Sequence, residues 1–145
     1  MAFYFALGTV LRVRGIVEDQ EERTLQGILF KISQTRDTMN VIDEDINKSN
    51  MARIAEFLKP SLGMNVHAFY GELEELRCRK VQCEEQIKHL EEQRDKQLLV
   101  YEKAHRDREM LTDMRDQSLS AYQFGRTREE QKNLDDIFIA RRSRC

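Results

Sequence analysis

The sequence predicts an all-α protein, a long antiparallel two-helix coiled-coil hairpin, and three observations carry that expectation. Apolar residues recur at alternating steps of three and four over most of the chain, which is the spacing of a heptad seam. Pro60 is the only proline in 145 residues and lies near the middle, with Gly63 close by. Charged residues make up 34% and aromatics 8%, with no tryptophan, a balance that suits helices sharing a thin seam better than a thick core.

By size the chain, 1–145, is expected to form a single domain. The first helix is expected over about residues 3–58. Leu7, Val10, Leu11 and Val17 open its apolar pattern, and Leu25, Ile28, Ile32, Thr35, Met39, Ile42 and Ile46 continue it. Between them lies "EDQEERT", Glu18 to Thr24, with no apolar side chain. Its simplest reading is a solvated face or a small change of register.

The break is "LKPSLGMN", Leu58 to Asn65. Proline disfavours helix at the residue before it, and glycine supplies a permissive turn conformation, so a turn is expected over about 59–66. The second helix follows over about 67–140. Its seam runs from Phe69 to Tyr122, mostly apolar but interrupted by Lys80, Arg94, Arg108 and Arg115. Pairs four apart, such as Glu75/Arg79 and Glu102/Arg106, support the helix by only about 0.2–0.5 kcal/mol each. The stretches 3–58 and 69–122 would each span about 80 Å at ~1.5 Å per residue, so one can fold back along the other.

Composition excludes several functions. A formal charge of -2 is no basic stripe for nucleic acid. No apolar run approaches a membrane span, and the "MAFYFALGTVLRVRG" start lacks a basic region ahead of it, so a cytoplasmic protein is expected. Cys78, Cys83 and Cys145 form no CxxC pair and read as reduced thiols. There is no GxxxxGK[ST] loop and no HExxH. "EKAH", Glu102 to His105, has the Glu-x-x-His spacing of carboxylate di-iron bundles but no second copy, because Met64 and Gln86 stand three residues before His67 and His89. A solvated flank is the simpler place for His105. No cofactor, metal or catalytic residue is expected, and the protein should not be an enzyme.

Surfaces remain. Phe57, Phe69, Tyr70 and Leu73 cluster near the turn, where capping of the coil's own seam competes with partner binding. Phe3, Tyr4, Phe5 and Leu7 crowd the start of the chain, more apolar surface than a simple coil can bury. The closing "REEQKNLDDIFIARR" sets Leu134, Ile137, Phe138 and Ile139 between Asp135/Asp136 and Arg141/Arg142. Cations near a helix C-terminus complement its dipole, which explains the arginines but not three consecutive large apolar residues.

Taken together, "FALGTVLRVRG" at the start, two matched amphipathic helices, a short break, and "EEQKNLDDIFIARR" at the end resemble the FliJ family of the flagellar type III export apparatus. The ending is the most specific piece, carried by Glu130, Gln131, Lys132, Leu134, Asp135 and Asp136. The resemblance implies a stalk-like hairpin that binds the export ATPase (FliI-like) and favours its assembly or activity. It also implies contacts with the export gate protein (FlhA-like) and with export chaperones, at the inner-membrane flagellar base. By the same analogy Phe3, Phe5, Leu7, Gln131, Leu134, Asp135, Asp136, Phe138 and Arg141 would face the ATPase. Phe57, Phe69, Tyr70 and Leu73 would face the gate or chaperones. The rival readings are the equivalent stalk protein of a virulence-type secretion system and a self-associating structural coiled coil. In the latter, a second chain would cover Lys80, Arg94, Arg108 and Arg115.

Overall fold

In a computed structural model the protein is all-α, two long helices packed against each other. The structure describes residues 2–58 and 64–144, with no side chains for 64–67. Helix α1 is Gly8–Phe57 and helix α2 is Met64–Ser143. Of the expected turn, 59–63 lie outside the described residues, with Pro60, Leu62 and Gly63 among them, while 64–66 already belong to α2. Cys145 also lies outside them. The chain divides into two compact units, Glu22–Val100 on the one hand and Met1–Glu21 with Tyr101–Cys145 on the other.

In the Glu22–Val100 unit the expected seam is the buried face. Ile32 and Ile42 of α1 and Leu73, Leu76 and Leu90 of α2 are buried as its core. Leu25, Ile28, Met39 and Ile46 are half-buried along α1, and Cys83 and Ile87 along α2. Thr35 is buried among them, and its hydroxyl donates back to the Lys31 carbonyl at 2.8 Å, so its polarity is satisfied within the helix. Pairing across the helices fixes their direction. Arg36 meets Glu91 at 3.3 Å, Asp43 meets Lys80 at 2.8 Å, and the Arg53 guanidinium lies over the Tyr70 ring at 5.5 Å. As numbers rise on α1 they fall on α2, so the helices run antiparallel. Burial of each large apolar side chain is worth about 1.5–3 kcal/mol, whereas an exposed ion pair contributes about 0–1 kcal/mol. The seam supplies the stability and the ion pairs select the alignment.

In the other unit α1 begins at Gly8, later than the expected residue 3. Residues 2–5 are non-helical, and exposure alternates there: Phe3 and Phe5 are half-buried while Tyr4 is exposed. The Phe3 ring sits 5.6 Å from that of Tyr122, tilted by 49°. Period-two burial against α2 wins over helix, which would turn consecutive aromatics to different sides. The Gly8 amide then donates to the Phe5 carbonyl at 3.0 Å and α1 starts.

A change of register in α1, one of the two expectations for "EDQEERT", and a departure from the expected seam in α2 both occur. Along α1, Leu11, Glu18, Leu25 and Ile32 recede from solvent every seven residues. Their companions Gly8, Gly15 and Glu22 lie three residues before a member of that series, but Ile28, Thr35 and Ile42 lie four before one. Within "EDQEERT" the register slips by one residue, and both Glu21 and Glu22 are half-buried. Along α2 beyond Ala104, the covered positions are Asp107, Leu111, Thr112, Leu119 and Tyr122, while Arg108, Arg115 and Ser118 are exposed. From residue 123 to 144 every side chain of α2 is exposed.

Candidate functional site

The most unusual side chain sits where the sequence offers no apolar residue. Glu18, in the segment whose sequence suggests a solvated face or a small change of register, is 5% exposed. Its heptad position turns it inward, and a buried carboxylate must find donors. Both come from α2. Glu18 Oε1 is 3.0 Å from His105 Nδ1, and Arg108 Nη1 donates to Oε2 at 3.0 Å. The other ring nitrogen of His105, Nε2, lies 3.7 Å from Glu109 Oε2, and Tyr101 stacks beside the ring at 6.1 Å. Arg14 pairs with Asp107 at 3.6 Å in the same unit.

The electrostatics follow from this geometry. Burial pushes the Glu18 carboxyl up, but hydrogen bonds from His105 and Arg108 and their charges outweigh it, so the net movement is below the ordinary value of 4.5. The hydrogen bond to Glu18 raises His105 above the ordinary 6.5, against desolvation. The same carboxylate raises Arg108, and Asp43 raises Lys80. His105 lies on a solvated flank, its side chain 51% exposed, and from there it reaches across to the buried Glu18. Its ring nitrogens face Glu18 and Glu109, and the described residues contain no group of three or more His, Cys, Asp or Glu suited to a metal. Cys78 is exposed and Cys83 half-buried in the seam, so the two thiols have different surroundings.

The proposed tip residues fall into two groups. Phe3, Phe5 and Leu7 lie at the Tyr122 end of the α1–α2 contact, with the two phenylalanines half-buried. Gln131, Leu134, Asp135, Asp136, Phe138 and Arg141 lie on the bare end of α2, beginning nine residues past Tyr122, or about 13 Å on at 1.5 Å per residue. Leu134, Ile137, Phe138 and Ile139 are each more than half exposed. Neither group is brought against the other.

The second surface divides as well. Phe57 and Tyr70 are exposed and Phe69 is half-buried, but Leu73 is 4% exposed and belongs to the core. Leu73 can hold Tyr70 and its neighbours in place without itself being a contact. A shallow groove beside α2 is lined by Tyr70, Arg77, Cys78 and Val81 among others. Sequence reasoning missed Glu18 altogether. The available signal was its place seven residues from Leu11 and from Leu25, which a search for apolar residues alone passes over.

No helix among the described residues is long and apolar enough to cross a membrane. The arrangement defines a coiled-coil protein that offers helix surfaces, one of them an uncovered helix end that carries Phe124, Leu134, Ile137, Phe138 and Ile139. A family model described as the flagellar FliJ protein matches residues 3–144, and the chain belongs to that family, a component of the flagellar export apparatus. No curated protein and no solved structure matches the chain.

Proposed function

We propose that the protein is a non-enzymatic cytoplasmic component of flagellar protein export that binds the export ATPase (FliI-like) and promotes its assembly or activity. In this reading it also contacts the export gate protein (FlhA-like) and substrate chaperones. The observation that carries it is the bare end of α2. Leu134, Ile137, Phe138 and Ile139 stand exposed between Asp135/Asp136 and Arg141/Arg142. Covering one such side chain is worth about 1.5–3 kcal/mol, so a partner that buries several gains affinity that this chain leaves unused. The flanking charges can set orientation. The gate or chaperone contact is assigned to Phe57 and Tyr70, which are exposed, with Phe69 at their edge and Leu73 as support.

The test is the ATP hydrolysis rate and ring formation of the cognate ATPase with this protein added intact or truncated after Glu130. The removed residues are uncovered, so the truncated chain should keep its thermal midpoint. Stimulation by the intact protein and none by the truncated one is the expected result. If neither form changes hydrolysis or assembly while both stay folded, the ATPase role is wrong. The match to a flagellar family leaves the virulence-type reading without an observation of its own.

A further inference from the structure

We propose that Glu18, His105 and Arg108 form a protonation-controlled latch that holds the first turns of α1 against α2, and that loss of the His105 proton loosens residues 8–21. The inference stands apart from any partner assignment, because it concerns only contacts inside this chain.

The seam is weakest where the latch sits. Gly8 and Gly15 bring no side chain to the α1 face, and a Cβ at Gly15 would lie 3.9 Å from Arg108 Nε. On α2 the buried residue is Ala104, a single methyl. Leu11, Val17 and Leu111 are only half-buried. In the Glu22–Val100 unit, by contrast, isoleucines and leucines fill the same layers. With so little apolar burial, polar contacts carry a larger share of the local packing energy.

The histidine is also the one member able to change charge near neutral pH. Its nitrogens face two carboxylates, Glu18 from α1 at 3.0 Å and Glu109 from its own helix at 3.7 Å. A doubly protonated ring can donate to both. A neutral ring carries one N–H and no charge, so it can donate to only one of the two carboxylates and is a cation to neither. Glu18 then keeps only Arg108 as a charged donor, in a buried place where a half-compensated carboxylate is costly. The charges that act on the ring are the Glu18 carboxylate of α1 and the Glu109 carboxylate of α2, which favour its protonated form, and the Arg108 guanidinium of α2, which opposes it. The two carboxylates outweigh the one cation, so the local field supports the protonated ring. The upward movement of His105 agrees with the geometry. Opening the latch frees Leu11 and Leu111, the apolar seam residues that a partner helix could use.

The test is amide hydrogen exchange on the full chain, corrected for intrinsic rates, across the titration range of His105. Starting about one unit below the ordinary imidazole value and ending about two above it covers the transition. Protection of residues 8–21 should fall severalfold, approaching about tenfold for each unit by which the folded His105 value exceeds the ordinary one. Protection of residues 28–46 should stay level. The fall should track the His105 ring titration followed by NMR in the same samples. In His105→Gln, which keeps a polar side chain without the titration, the fall should vanish. Should that variant fail to fold, coincidence of the wild-type fall with the ring titration decides. Level protection of 8–21 in the wild type, a fall that does not coincide with the ring, or a fall that persists in a folded His105→Gln overturns the latch.

Discussion

Glu18 is the residue on which the chain departs most from an ordinary coiled coil. A leucine there would fill the seam, whereas the glutamate must be held by His105 and Arg108. The pH consequence follows from the two directions. The folded value of His105 lies above 6.5, so its contribution is complete below that value and is lost as pH rises through the raised one. The folded value of Glu18 lies below 4.5, so its contribution is complete above 4.5 and is lost as pH falls through the lowered one. The cluster therefore stabilises most between 4.5 and 6.5. Removing one partner of a buried ion pair is costly when the other stays buried, but His105 and Arg108 are 51% and 48% exposed and can return to water. Glu18→Leu should accordingly be unchanged or up to about 2 kcal/mol more stable in urea unfolding near neutral pH, and should lose the decline above the imidazole range. If Glu18→Leu retains that decline, the dependence arises elsewhere.

At the scale of the helix, the seam and its interruptions have separate costs. The heptad pattern was legible because isoleucine and leucine mark it: Ile32, Ile42, Leu73, Leu76 and Leu90 are all seam positions and all core. Where the seam is carried by glycine, glutamate or aspartate, as at Gly15, Glu18 and Asp107, hydrophobic periodicity has no signal to offer. The start of α1 escaped for a different reason, since the pairing of Phe3 with Tyr122 is a long-range contact that no local propensity contains. Two substitutions separate seam from propensity. Leu73, 4% exposed, is a core residue, and Leu73→Ala opens a cavity there that should destabilise the protein by about 2–4 kcal/mol. Gly27→Ala lies in a helix with nothing within 4 Å of the added methyl and should stabilise it by about 1 kcal/mol. Urea midpoints of the two variants check both signs. A neutral Leu73→Ala would mean that this layer of the seam contributes little.

For the whole molecule the open choice is between a hairpin that satisfies itself and a chain that needs a second copy. The self-associating reading requires another chain to cover Lys80, Arg94, Arg108 and Arg115. Two of those cations already have interhelical partners in this chain, Lys80 with Asp43 at 2.8 Å and Arg108 with Glu18 at 3.0 Å. Arg94 turns to Asp95 at 3.2 Å, and Arg115 is exposed. Among the described residues no buried side-chain nitrogen or oxygen lacks a hydrogen bond, so no polar demand remains for a second chain to meet. Exposed apolar side chains include those on the bare end of α2, where Ile137, Phe138 and Ile139 are consecutive and flanked by charges, an arrangement that offers no heptad stripe for a like helix. That distinction was not readable from composition, because the same residues could have been covered by α1 had its partner contacts continued past Tyr122. Light scattering coupled to size exclusion should therefore give a mass near the 17.2 kDa of one chain, independent of loading concentration. A mass twice that, retained on dilution and lost in a chain truncated after Glu130, would make the bare end a site of self-association and remove it from the surfaces available to an ATPase.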